Sequence, residues 1–240
     1  MQLNFIIPCY NEEKILYSSI YYLLKKISNN VRVKKFKITL VDDGSTDQTW
    51  NIISKLNIED SRVKGLKLSK NFGHLSALNA GFKENDYDYI FMLDADFMVE
   101  FPKDIIDETI ENMSTQNFDI VQIARNEYQS SFLKIYTSNL FYLLFNFVSN
   151  VKITASAPDF RIINYKVIEK FNALKYKIFF RREIHSFNFK IKILKTVQKS
   201  YENRKSKFTF LKMVSFALES LFFYTGFLKK KNKYIIEKKI

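Results

Sequence analysis

Short runs rich in apolar residues alternate with longer amphipathic segments through the first 125 residues. The runs are four to eight residues long, as is typical of strands buried on both faces, and they comprise residues 2–8, 36–41, 63–69, 89–93 and 118–124. Between them, apolar positions recur at helical spacing. This alternation predicts βαβ units and an α/β fold with a mostly parallel, doubly wound sheet. We expect Pro8 to end the first strand and a helix to begin near Pro102.

The pattern changes past Arg125. Residues 130–149 are a helical pattern rich in Phe, Tyr and Leu, and an amphipathic stretch at 207–228 precedes a basic tail. The most apolar part of this stretch, FALESLFFYTGFL, is about 20 Å long as a helix and too short to span a bilayer core of ~30 Å. Two interpretations of this stretch and its tail stay open. It is either an interfacial helix whose following lysine cluster contacts anionic lipid, or a core helix followed by a solvated tail.

We therefore predict a domain organisation with C-terminal amphipathic helices. Its parts are a domain at 1–206, with halves 1–125 and 126–206, and a C-terminal amphipathic helix and basic tail at 207–240.

Net charge and cysteine content indicate which class of partner the protein binds and in which compartment it occurs. The net charge of +13 fits an anionic partner, namely nucleic acid, anionic lipid or a phosphorylated substrate. We find no nucleic-acid motif, and acidic loop ends would repel a phosphate backbone, so nucleic acid is not expected. The single Cys9 excludes an internal disulfide, and no signal segment precedes the first strand. These features predict a cytoplasmic protein without a spanning helix.

Two carboxylates, Asp94 and Asp96, follow the fourth apolar run. Loops at the carboxyl ends of parallel strands form the ligand crevice of open α/β sheets, so this pair is placed to hold a divalent cation against a phosphorylated ligand. Close carboxylates repel each other unless a cation is present. An isolated pair of this kind is more often a solvated turn, so its meaning depends on the neighbouring motifs.

Five motifs occur in a fixed order along the chain: PCYNE at 8–12, DDGSTD at 42–47, KNFGH at 70–74, DAD at 94–96 and DFR at 159–161. Together they resemble glycosyltransferase family 2, in particular its dolichyl-phosphate mannosyltransferase and bactoprenol glucosyltransferase-like branch, over about residues 1–225. The resemblance implies the GT-A nucleotide-sugar-binding fold. It also implies sugar transfer from a nucleotide-diphosphate donor with inversion at the anomeric carbon.

The resemblance implies roles for residues around the donor. Pro8, Tyr10 and Glu12 would border the nucleotide, while Asp42, followed by Asp43, would receive the base. Independently, a carboxylate can accept hydrogen bonds from a base and tyrosine can stack on it, although turn and N-cap chemistry would explain DDGSTD alone.

Asp94 and Asp96 would hold Mg²⁺ or Mn²⁺ at the diphosphate, with Asp96 also catalytic and Ala95 beside the donor. The branch usually has glutamine where this chain has Met98. A thioether is a poor ligand for a hard cation, so water, Glu100 or weaker binding must compensate.

The segment ENRKSKF resembles the branch's diphosphate-covering motif. Lys207 matches it, whereas Arg204 stands at the position of its glycine, and both are implied donor contacts.

Acceptor residues are also implied. Asp159 would orient the acceptor or act as general base, and Arg161 would pair with it or with phosphate, unless the two form a buried structural pair. Arg125, Lys134 and Ser138 match positions that bind an acceptor phosphate, although surface solvation explains them nearly as well. His74 is assigned no proton-transfer role.

These features predict an inverting, metal-dependent glycosyltransferase, peripheral on the cytoplasmic face of the membrane, in cell-surface polysaccharide or glycolipid synthesis. Its acceptor would be a polyprenyl phosphate or a glycan hydroxyl. The paired transmembrane helices of many relatives do not appear in this sequence, so the lipid acceptor stays open. A catalytically silent module that binds nucleotide sugars at a membrane surface is the alternative, motivated by Met98.

Overall fold

The computed structural model describes residues 1–125, 160–174, 184, 187–196 and 235–240. Its strands are β1 Gln2–Cys9, β2 Lys35–Asp42, β3 Val63–Leu68, β4 Tyr89–Met92, β5 Ile120–Arg125, β6 Arg161–Ile163, β7 Ile191–Thr196 and β8 Ile236–Lys239. Its helices are α1 Leu16–Ser28, α2 Thr49–Glu59, α3 His74–Lys83, α4 Phe97–Glu100, α5 Ile105–Thr115 and α6 Tyr165–Asn172. The helix expected near Pro102 is α5, which begins three residues after that proline, and the short helix α4 before it was not predicted.

The described strands form one sheet in the order β7-β5-β6-β4-β1-β2-β3-β8. The pairs β1–β2, β1–β4, β2–β3 and β5–β7 are parallel. Strand β6 runs antiparallel to β4 and β5, and β8 runs antiparallel to β3. The predicted α/β class with a mostly parallel sheet is confirmed. Because two reversals restore the original direction, the carboxyl end of β5 lies at the same sheet edge as those of β1, β2 and β4.

Helices cover both faces of the sheet, as a doubly wound fold requires. Helices α1, α2 and α5 pack with Phe5 and Ile7 of β1 in one apolar cluster. Helices α3 and α6 pack with Ile6 in a second cluster on the other face. The alternation of these neighbouring residues follows the two-residue period of a strand, and it explains why β1 is buried on both faces from Leu3 onwards.

Pro8 does not end β1, contrary to the prediction, because the strand continues to Cys9. On the β2 side, Pro8 and Cys9 stay in register with Val41 and Asp42. On the other side, pairing with β4 ends at Ile6, whose carbonyl accepts a hydrogen bond from Leu93 N (3.1 Å). Strand residues alternate in the side to which their backbone groups point, so the nitrogen of Pro8 faces the side where β4 has already ended. No ladder hydrogen bond is lost there.

The last residues of the basic tail form strand β8 at the edge of the sheet. Ile240 continues this pairing, since it exchanges backbone hydrogen bonds with Gly65 (2.9 and 3.0 Å). The helical patterns predicted at 130–149 and 207–228 lie outside the described residues, so the division at residue 206 stays a prediction. In the part of the chain that the structure describes, no helix is both long and apolar enough to cross a membrane.

Candidate active site

Three loops meet at the carboxyl edge of the sheet, after the neighbouring strands β4, β1 and β2. Cys9 at the end of β1 is in register with Asp42 at the end of β2. The backbone N–H of Asp43 continues this pairing by donating to the carbonyl of Cys9 (2.8 Å). On the other side of β1, β4 leads into Asp94. The central strands thus bring together three of the predicted motifs, from 8–12, 42–47 and 94–96.

The loops after β1 and β2 are joined by hydrogen bonds. Asn11 N donates to Ser45 Oγ (3.0 Å), and Thr46 N donates to Asn11 Oδ1 (2.9 Å). Glu12 N donates to Thr49 Oγ1 (2.8 Å). Asn11 has a φ of 54°, a left-handed conformation in which asparagine is enriched. These contacts join the two loops into one rim, on which the side chain of Tyr10 is exposed.

Asp42 is fully buried beneath the turn at Gly44. Its Oδ1 accepts a hydrogen bond from Ser45 N (2.9 Å), whereas Oδ2 has no hydrogen-bond partner in the described structure. Burial raises the pKa of this carboxyl, against the lowering effect of the Ser45 hydrogen bonds. Asp42 therefore keeps one acceptor oxygen that a donor group of a ligand could satisfy if the rim opened.

Asp43 binds the loop between β3 and α3. Its two carboxylate oxygens accept hydrogen bonds from Phe72 N (2.8 Å) and Gly73 N (2.9 Å), and the residue is only 3% exposed. Burial raises its pKa to about 6, although both hydrogen bonds act in the opposite direction. In this arrangement Asp43 holds the KNFGH loop in place, and its oxygens are already used.

Gly44 allows the loop that follows β2 to pack closely against residues 70–71 of the loop that follows β3. It has a φ of 68°, and a Cβ at this position would lie 2.3 Å from the carbonyl carbon of Lys70. Any side chain would therefore separate the two loops.

Asp94 and Asp96 stand on either side of the buried Ala95, immediately after β4. Both aspartates are half-buried, and the side chain of Asp94 is 33% exposed. The carbonyl of Asp94 accepts a hydrogen bond from Phe97 N (3.1 Å), which begins the short helix α4. This turn presents two carboxylates one residue apart at the edge of the sheet.

The donor chemistry of this pair fits a hard divalent cation. Carboxylate oxygens are the preferred protein ligands of Mg²⁺ and Mn²⁺. Among the residues that the structure describes, no group of three or more His, Cys, Asp or Glu side chains could hold a metal alone. A site with two carboxylates is compatible with Mg²⁺, because Mg²⁺ usually binds one or two protein carboxylates and completes its coordination shell with water and substrate phosphates. Met98 packs against the apolar core instead of completing such a shell.

His74 is a neighbour of this pair that sequence reasoning did not assign to the site. It is the first residue of α3, and its Nε2 lies 3.7 Å from Asp94 Oδ1. It also lies close enough to Asp43 to lower the pKa of that carboxyl. The signal that the sequence offered was the place of His74 in the KNFGH motif, directly after Gly73.

Two predicted acceptor residues lie in described strands. Arg125 is the last residue of β5, at the same edge as Asp94 and two strands away from β4, or about 10 Å at ~4.8 Å per strand. Arg161 is in register with Met92 and is 1% exposed. Its guanidinium is therefore inside the protein and not on the surface. The other predicted residues, Asp159, Lys134, Ser138, Arg204 and Lys207, lie outside the described residues.

Comparison with protein families gives a match to the model of glycosyl transferase family 2 over residues 4–172. An uncharacterized glycosyltransferase of Bacillus subtilis, YkcC, is 28% identical, with 92% of this chain and 68% of the relative covered. A prophage bactoprenol glucosyl transferase homolog of Escherichia coli is 29% identical, with 95% of this chain and 73% of the relative covered. The chain thus spans about two thirds to three quarters of these relatives.

Solved structures show a similar fold at low sequence identity. TarS of S. aureus, in complex with UDP-GlcNAc, superposes with a TM-score of 0.57 at 15% identity, covering 93% of this chain and 66% of that one. Glucosyl-3-phosphoglycerate synthase of Mycobacterium tuberculosis, in complex with Mn²⁺, UDP and glucosyl-3-phosphoglycerate, gives 0.58 at 14% identity, with coverages of 94% and 80%. These are GT-A glycosyltransferases, and the described chain has the GT-A fold.

Proposed function

Since this chain belongs to glycosyl transferase family 2, we propose that it transfers a sugar from a nucleoside-diphosphate sugar to the phosphate of a polyprenyl lipid. Transfer would invert the configuration at the anomeric carbon. The observation that carries this proposal is the meeting of three loops at one sheet edge, where the Asp42 turn, the exposed Tyr10 and the Asp94–Asp96 pair lie side by side.

The rim formed by the loops after β1 and β2 is suited to the donor nucleotide. Pro8, Tyr10 and Glu12 would border the nucleoside, and Asp42 would accept a hydrogen bond from its base through the oxygen that has no described partner. Asp43 would act through the Phe72–Gly73 loop and not on the base, because both of its oxygens accept backbone hydrogen bonds. Ala95, Arg204 and Lys207 remain proposed donor contacts.

Asp94 and Asp96 would hold Mg²⁺ or Mn²⁺ where the diphosphate lies. When bound there, the cation neutralises charge on the leaving nucleoside diphosphate. The two carboxylates would thereby fix the orientation of the donor. A single displacement requires the acceptor on the opposite face of the sugar, which is why the departing group and the acceptor need separate cation-rich regions.

The acceptor proposal is supported by the bactoprenol glucosyl transferase homolog among the relatives. A lipid phosphate oxygen is already anionic, so its attack needs no strong base. Arg125 at the carboxyl edge, together with Lys134 and Ser138, would contact that phosphate. If the acceptor is instead a glycan hydroxyl, Asp159 must accept its proton. Arg161 would act from inside the protein, by positioning other groups.

Product formation tests the proposal directly. The purified chain would be incubated with Mn²⁺, a panel of UDP- and GDP-sugars, and either polyprenyl phosphate in detergent or an oligosaccharide acceptor. We expect wild type to form a glycosylated polyprenyl phosphate. The rate of its formation should fall by about 100-fold or more in Asp94→Asn and Asp96→Asn, since each substitution removes a charged cation ligand. Asp88→Asn is the matched control, because Asp88 is exposed and precedes β4 at the opposite edge of the sheet.

The outcomes separate the alternatives. Donor binding without product across both acceptor classes would favour the silent binding module. Product with only the oligosaccharide would replace the lipid acceptor by a glycan hydroxyl. Undiminished product in both Asp94→Asn and Asp96→Asn would remove the cation from the proposal.

We also propose attachment to the cytoplasmic face of the membrane. The amphipathic stretch at 207–228 would lie in the interface, and the lysines that follow it would contact anionic lipid. This location would bring the carboxyl edge of the sheet within reach of a lipid acceptor.

A further inference from the structure

A cleft of about 840 Å³ opens at the amino edge of the sheet, opposite the candidate active site. It is lined by the beginnings of β2 and β3, the end of β8 and the residues that follow α3. Lys35 and Asp42 stand at opposite ends of β2, about 23 Å apart at ~3.3 Å per residue. The cleft is therefore separate from the edge that carries Asp42 and Asp94.

Four lysines of this cleft lie on one face of three neighbouring strands: Lys35 and Lys37 on β2, Lys64 on β3 and Lys239 on β8. The strand register establishes this. Thr39, which shares a face with Lys35 and Lys37 by the two-residue period, is paired with Lys64. Leu66, two residues after Lys64, is paired with Lys239.

Only part of this positive charge is neutralised within the described residues. Lys37 forms an ion pair with Asp86, and Lys239 forms one with Glu84. Lys35 and Lys64 are exposed and form no ion pair within 4 Å in the described part of the chain, although Lys35 lies close enough to Asp86 to lower the pKa of that carboxyl. Lys35 Nζ lies 5.2 Å and Lys37 Nζ 5.0 Å from the ring centroid of Tyr87, so both ammonium groups stay at one wall of the cleft.

Arg62 adds a further cation to the lining. Its guanidinium lies over the ring of Phe36, 4.5 Å from the centroid, and is held there by Asp60 (2.6 Å) and by Ser28 Oγ (2.9 Å). Its donors are therefore largely used. The charge available to a ligand comes mainly from the lysines.

We propose that this cleft binds an anion that carries phosphate groups, as a second site independent of sugar transfer. Like charges on one sheet face repel each other, and a concave surface on which positive charge is in excess over Glu84 and Asp86 attracts anions from solution. Side chains on adjacent strands are ~5 Å apart, and those at i and i+2 are ~7 Å apart, so several ammonium groups can contact one diphosphate. Lysine binds phosphate as a point charge and imposes no single geometry. The source is either a soluble phosphate compound or a phospholipid headgroup.

Two binding measurements on the full chain test this site. In the first, inorganic pyrophosphate is titrated by calorimetry at low salt in EDTA, which removes the divalent cation that the catalytic edge requires. In the second, the protein is floated with phosphatidylglycerol vesicles. Both use wild type, the double variant Lys35→Glu/Lys64→Glu, and the control Lys25→Glu/Lys103→Glu. The control changes the net charge equally at exposed positions outside the cleft.

We expect the cleft variant to bind at least about tenfold more weakly than wild type and control in one of the two measurements. Loss of pyrophosphate binding assigns a soluble phosphate ligand, and loss of vesicle binding alone assigns a headgroup. Equal binding by all three proteins, equal weakening in both variants, or no binding by wild type in either measurement would overturn the site. If the glutamate variant does not fold, Lys35→Gln/Lys64→Gln replaces it, with an expected weakening of at least about threefold.

Discussion

Replacing Asp43 with asparagine should change the way in which stability depends on pH. Burial raises the pKa of Asp43 to about 6, against an ordinary value of 3.8. The unfolded chain therefore ionises this group first, and the folded protein holds the proton over the interval between the two values. The stability due to this group is present below pH 3.8 and is lost as pH rises through 6.

The structure sets the size of the effect. A shift of about two pKa units corresponds to ~3 kcal/mol when both states are fully ionised, of which ~2 kcal/mol develops between pH 4 and pH 7. Asparagine removes this dependence because its amide does not ionise. Its NH₂ group would also face one of the two N–H donors of Phe72 and Gly73, which costs about 1–3 kcal/mol at every pH. Asp43→Asn should thus be less stable than wild type at pH 4 and similar to it at pH 7.

Urea denaturation from pH 3 to pH 7 measures the difference in unfolding free energy between wild type and variant. The control is Asp60→Asn, since a hydrogen bond from Arg62 lowers the pKa of Asp60. The unfolding free energy of wild type should exceed that of this control at pH 7, and the difference should shrink as pH falls below about 4. A difference between wild type and Asp43→Asn that stays constant from pH 4 to pH 7 would refute the reasoning from burial.

Three further predictions concern the loops, the base and the membrane. Gly44→Ala should lower the unfolding free energy by about 3 kcal/mol or more, because strain at positive φ adds to a steric overlap. Gly73→Ala should lower it by only about 1–2 kcal/mol, since its Cβ would meet nothing within 4 Å; equal losses by denaturation would contradict the packing of the two loops. Asp159→Asn should reduce turnover less with a phosphate acceptor than with a hydroxyl acceptor, and equal reduction would oppose its assignment as base. Substituting lysines 229–231 with glutamine should weaken phosphatidylglycerol vesicle binding at low salt and have little effect at high salt, and unchanged sedimentation would remove these lysines from the membrane proposal.

Substitution is preferable to truncation in the last of these experiments. Deleting residues 229–240 would also remove β8 and expose the edge of β3, where Gly65 pairs with Ile240. A loss of vesicle binding would then have two explanations.

The alternation of apolar and polar residues determined the fold class. A buried strand is a short apolar run and an amphipathic helix has a period of about 3.6 residues, so strands β1 to β5 and helices α1, α2, α3 and α5 were indicated by their own side chains. The order of five motifs similarly identified the family, which the family match confirms, and three of those motifs converge at one edge because neighbouring parallel strands end there.

Tertiary structure decided what depends on partners distant in the sequence. Strand β6 has only three residues, and three of the four residues of β8 are charged, so neither shows a period that would predict it. Pro8 stays within a strand only because β4 is short. Asp42 and Asp43 are chemically identical neighbours, yet Asp43 contacts the Phe72–Gly73 loop, 29 residues away, and Asp42 does not. Such contacts depend on where the whole chain places two loops, and no local pattern of residues contains that information.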